Sequence, residues 1–184
     1  MQTVHPKFKA SDVLSAGLAV GFALGFIGWV WDDLEHLRIL QLGVAWAHLL
    51  MTIGLFVALA GVAVAMGRSV GRLPAYLAFA AGFGLSFVYP LAGRAVWLGL
   101  ALGAAWLAAR AGNRGFGLGC LGLGVVLIGG IIDMFWHQAN PGVVETNMLL
   151  LPGHAVELAG WGLGLVGSIF AWHRAAGTET EFNS

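Results

Sequence analysis

Residues 115–137, GFGLGCLGLGVVLIGGIIDMFWH, decide the fold. From 115 to 132 the run carries no charged residue. That length approaches the roughly 20 apolar residues a helix needs to cross a bilayer. The run ends in Asp133 and, four positions on, His137, a spacing that puts both side chains on one face of a helix. The same ending occurs earlier. IGWVWDDLEH at 27–36 and IGGIIDMFWH at 128–137 share the pattern Ile-Gly-x3-Asp-x3-His, 101 positions apart. Each copy is followed by one more histidine, His48 and His154.

The rest of the chain resembles its fifth apolar run. It is 59% hydrophobic and 10% charged, which excludes an ordinary soluble domain and points to an integral membrane protein. The abundant glycines suit close approach of neighbouring helices. The one cysteine, Cys120, excludes an intrachain disulfide and a cysteine-based zinc site. Formal net charge is zero and indicates no partner; no nucleic-acid role is expected. The polar start MQTVHPKFKASD has neither a short apolar core nor a small-residue cleavage site. No cleaved signal peptide is expected, and the first span itself would direct insertion. A nucleotide-binding loop, a serine-nucleophile motif and HExxH are all missing from the sequence.

Six spans are expected, at about 12–31, 41–66, 73–90, 93–110, 115–135 and 150–172, each a helix because the bilayer offers no water to its backbone. The fold class is therefore all-α, a single transmembrane domain over 1–184 with short cytoplasmic tails at 1–11 and 174–184. With six spans, Lys7, Lys9, Arg68, Arg72, Arg110, Arg114 and Arg174 fall on one side. Asp32, Asp33, Glu35, Arg38, Arg94, Asp133 and Glu145 fall on the other. The positive-inside rule then places both termini in the cytoplasm and both Asp-x3-His clusters on the outer face. In a bacterium this is the periplasmic side of the inner membrane.

The internal match extends beyond these ligands. Gly21 pairs with Gly122 and Gly28 with Gly129; after the loop, His48 pairs with His154 and Gly54 with Gly160. Spans 1–2 thus match spans 5–6 in the same direction across the membrane, a parallel repeat about an axis along the membrane normal.

Carboxylate and imidazole are ligands for divalent transition metals. A helical hairpin would fold the third ligand back on the first two. That gives Asp32, His36 and His48 in one half, and Asp133, His137 and His154 in the other. A set of two histidines and one carboxylate with open positions suits copper, zinc or ferrous iron, and the oxidising outer side favours copper or zinc. Asp33 is an alternative to Asp32, though the repeat alignment favours Asp32. Glu157 lies one turn after His154 and would serve as a ligand, a supporting partner or a base. Its counterpart, Met51, is read as packing or as a soft ligand for Cu(I). The alternative reading of each cluster is an interfacial polar pair; Trp29, Trp31, Trp46, Trp136 and Trp161 are read by default as an interfacial belt, with a dry wall around a metal site as the alternative. Haem ranks below metal ions, since bis-histidine haem has no use for the recurring aspartate. Proton transport ranks lower too, because the polar groups gather on one side.

DMFWHQANPGVVETNMLLLPGHAVELAGW, at 133–161, resembles the metal-binding stretch of the C subunit of copper membrane monooxygenases, the group of particulate methane and ammonia monooxygenases. In that family an Asp-x3-His is followed by a loop and a Pro-x-His-x2-Glu segment. The matching positions here are Asp133, His137, Pro152, His154 and Glu157. The family also carries a second, Asn-based cluster on the same side. Here the loop is longer and lacks the family's Arg-Asp segment, the family-like copy comes second, and the first copy has Asp32 in place of Asn. The likeness covers about thirty residues. It implies a copper or zinc site facing the periplasm in a helical membrane bundle. The expected roles are an oxidoreductase or a metal-site subunit of such a complex. The alternatives are a non-catalytic metal-binding or transport protein, or a structural or haem-binding subunit. Expected partners are the bilayer and other membrane subunits or further copies of the chain; an oxygenase role would need a partner supplying electrons.

Overall fold

The computed structural model describes residues 12–37, 44–141 and 151–182. Lys7, Lys9, Arg38, Glu145 and most of the loop between His137 and His154 lie outside the described residues. Six helices follow one another: α1 Asp12–His36, α2 Val44–Val70, α3 Arg72–Val88, α4 Pro90–Arg110, α5 Arg114–Ala139 and α6 Pro152–Phe182. Five are long and apolar enough to cross a membrane, so the protein is a multi-pass, all-α membrane protein. The sixth, α3, has 17 residues. At about 1.5 Å per residue it reaches roughly 26 Å, slightly short of the ~30 Å hydrocarbon core. It nevertheless traverses the bundle. His48 near the start of α2 and Arg94 near the start of α4 line the same cavity, so α3 and the first turn of α4 carry the chain back along α2 toward its start.

The breaks between helices have local causes. Pro90 stands at the first position of α4, and Tyr89 before it is extended at φ −135°, ψ 80°, as a residue preceding proline prefers. One residue therefore divides a continuous apolar run into α3 and α4. At the end of α4, Gly112 takes φ +74° and its N–H donates to the Ala109 carbonyl while the Asn113 N–H donates to that of Ala108. This left-handed stop closes the helix. The Asn113 side chain then accepts from Phe116 N at 3.1 Å and caps α5.

Helices α5 and α6 form one intimate antiparallel hairpin and α1 and α2 another; α1 joins the two hairpins by packing on α6, α4 lies along α5, and α3 is outermost against α4 and α2. Glycine makes both hairpins tight. A Cβ on Gly122 would lie 2.3 Å from Gly164 N, and one on Gly21 would lie 2.7 Å from Ala58 N. Backbone meets backbone at both crossings, where lipid supplies no hydrophobic drive and van der Waals fit must hold the helices. Phe22 of α1, fully buried, meets Trp161 of α6 edge to face at 5.9 Å, and this contact links the two hairpins.

Helices α1 and α5 run past the expected ends at 31 and 135, to His36 and Ala139. The Asp and His of each cluster therefore occupy the last helical turns. At the other end, α6 continues beyond Arg174, so the stretch expected as a tail begins as helix.

Candidate metal centre

Asp133 and His137 project from the end of α5, with His137 Nε2 at 3.5 Å from Asp133 Oδ1. His154, in the first turn of α6, brings its Nε2 to 2.9 Å from the same oxygen. Gly153 permits that approach: a Cβ there would fall 2.6 Å from both the backbone nitrogen and the Cβ of Asp133. One ligand atom from each of the three residues lies within 4.8 Å of the others. Two N/O donors at about 2.0–2.1 Å from a tetrahedral ion are about 3.3 Å apart, so these separations fit a bound ion with little rearrangement. Asp133 Oδ1 is buried and is the atom both imidazoles face.

The first cluster is assembled differently. His48 Nε2 is 3.3 Å from Asp32 Oδ1, but His36 Nδ1 stands at 3.8 Å. His36 Nδ1 lies instead 2.8 Å from the Asp32 backbone carbonyl, which occupies that ring nitrogen. Asp32 is 3% exposed, and its buried Oδ1 faces His48. Among the described residues, only Asp133, His137 and His154 form a close three-donor group. Asp32, as the repeat alignment favours, is the acid facing His48; Asp33 does not line the cavity described next.

The two clusters open onto one cavity of about 280 Å³ between the hairpins. Asp32 and His48 line it from one hairpin, and Asp133, His154 and Glu157 from the other; His36 and His137 stand outside it. Glu157 is not among the three converging donors and sits above Gly130, where a Cβ would lie 2.9 Å from its Oε1. Met51 lines the cavity and also packs against the apolar core. Trp29 and Trp161 are buried walls of this chamber and so do not anchor the interface, whereas Trp46 is exposed and Trp31 donates to Glu35 at 3.0 Å.

No family model, no curated protein and no solved structure matches the chain. The site therefore has to be read from its own donors.

Arg94 of α4 also lines the cavity, and reading the two hairpins as the functional unit overlooks it. A signal was present in the sequence: between Arg72 and Arg110, Arg94 is the sole charged residue. An ionisable side chain alone in a membrane helix commonly marks a functional site.

Proposed function

We propose that this membrane protein is a metalloprotein in which Asp133, His137 and His154 hold one divalent transition ion, copper or zinc, at the outer face of the bacterial inner membrane. The observation that carries the reading is the convergence of these three donors within 4.8 Å at the end of an apolar hairpin. Two imidazoles and one carboxylate leave coordination positions open, with Asp133 and His154 on the cavity wall, and a Lewis-acidic or redox-active ion held there would act on a small ligand. The local resemblance of 133–157 to the monooxygenase C subunit supports copper and an oxidase-type role as one subunit of a larger membrane complex with a separate electron donor. The bias of Arg68, Arg72, Arg110, Arg114 and Arg174 toward one end supports cytoplasmic termini. Matching glycine crossings and matching Asp–His contacts support reading the hairpins as parallel repeats, with the second specialised for metal.

A second reading, a metal carrier without catalysis, is favoured by one feature. The His137 side chain is 50% exposed, so a ligand of the bound ion would be within reach of an exchange partner.

Metal analysis of the gently purified protein tests both. Wild type is expected to retain close to one equivalent of copper or zinc, and His137→Ala and His154→Ala each to lose it. No metal in wild type contradicts both readings. Oxygen consumption in the presence of a reductant then separates enzyme from carrier.

A further inference from the structure

Arg94 brings a charge into the cavity that metal binding does not use. Its Nη1 donates to the carbonyl of Gly130, which fixes the guanidinium against α5. Gly130 provides the room, since a Cβ there would lie 3.3 Å from Arg94 Cζ as well as against Glu157. Three carboxylates line the same cavity, yet none forms an ion pair with Arg94 among the described residues. Asp32 and Asp133 instead face His48 and His154, at 3.3 and 2.9 Å, and Glu157 approaches the same Gly130 surface as Arg94 without reaching ion-pair distance.

An arginine stays protonated and presents five N–H donors in a planar fork, of which this contact uses one. Near the hydrocarbon such a charge calls for an anionic partner. Trp161 also lines the cavity, and its Nε1 is buried with no hydrogen-bond partner among the described residues. The remaining donors of the Arg94 fork on one wall, and a metal with open positions on the other, describe a site for a ligand with two acceptor atoms. Leu55, Val126 and Leu127 complete the lining with apolar surface, which lowers the local dielectric and strengthens each polar contact.

We propose that the cavity binds a small monovalent oxyanion, of the size of formate or bicarbonate, bridging the Arg94 fork and the metal held by Asp133, His137 and His154. The proposal rests on the metal reading above. Arg94 is the specificity-determining residue: its fork matches the two oxygens of a carboxylate.

The test uses the full-length protein loaded with Cu(II) in detergent. Azide, a small monoanion, reports an open copper position through its charge-transfer absorption, and formate is then titrated as competitor. Formate is expected to displace azide from wild type. Arg94→Gln is expected to keep its copper and weaken formate roughly 10- to 100-fold, the loss of one or two charge-assisted hydrogen bonds. Arg94→Lys, which keeps the charge and loses the fork, is expected to fall between the two. Formate affinity equal to wild type in copper-loaded Arg94→Gln overturns the proposal. So does loss of copper from both variants, which would make Arg94 a support of the metal site itself. If Arg94→Gln does not fold, Arg94→Lys decides, and wild-type affinity there overturns the proposal. Failure of wild type to bind copper overturns the metal reading, and it is visible before any anion is added.

Discussion

Valine in place of Gly122 is expected to separate α5 from α6 and to prevent purification of a monodisperse protein. A Cβ at this position would lie 2.3 Å from Gly164 N, 2.5 Å from Gly164 Cα and 2.8 Å from the Gly160 carbonyl oxygen. All three neighbours are backbone atoms of the facing helix, so no rotamer change relieves the clash. Overpacking a core ordinarily costs about 1–3 kcal/mol because side chains shift. Here the whole of α6 must move, so the cost lies at or above the top of that range. The hairpin also carries Asp133 and His154, so the metal is lost with it. Gly162→Ala on the facing helix α6 is the control, since nothing stands within 4 Å of its Cβ position. Size-exclusion profile and thermal melt in detergent read the difference. A Gly122→Val protein that melts with wild type would show that the α5–α6 contact is not as close as described.

Removing Asp133 is expected to empty the metal site, whereas removing Asp32 leaves it filled. The Asp133 carboxylate oxygen lies 3.5 Å from one imidazole nitrogen and 2.9 Å from another. It is the one anionic donor of the three and the atom the two histidines share. Asp133→Ala leaves two neutral imidazoles, and affinity is expected to fall by at least about 100-fold, beyond the 10–100-fold typical of losing a mere supporting partner. Asp32 stands in the same Ile-Gly-x3-Asp-x3-His spacing but sits with His36 turned to a backbone carbonyl. Asp32→Ala is therefore expected to retain close to one equivalent of metal by elemental analysis. Equal loss in both variants would mean that the clusters hold a shared ion.

The sequence reveals the helices and the polar residues that matter, but not how they are arranged. Uninterrupted apolar runs leave a chain in lipid no option but helix, and Pro90 breaks one run where only a single residue separates two helices. The spacing of four places Asp133 and His137 on one face before any coordinates are known. What spacing cannot convey is the third dimension. That His48 and His154 face one cavity depends on how α1 packs on α6, a contact made through Phe22 and Trp161. That His36 Nδ1 is taken by a carbonyl depends on a rotamer. Arg94 enters from a helix outside both hairpins, so no pattern in the duplicated segments leads to it. Of the five tryptophans read by default as an interfacial belt, Trp29 and Trp161 follow the alternative of a wall around the site: they are buried and border the cavity.

The central claim is that Asp133, His137 and His154 are the ligands of a bound ion, and X-ray absorption on the metal-loaded wild type tests it most directly. The account predicts a first shell of nitrogen and oxygen alone, at about 2.0–2.2 Å, with the outer-shell scattering of two imidazoles. A shell containing sulfur at about 2.3 Å, or scattering from fewer than two imidazoles, would contradict it.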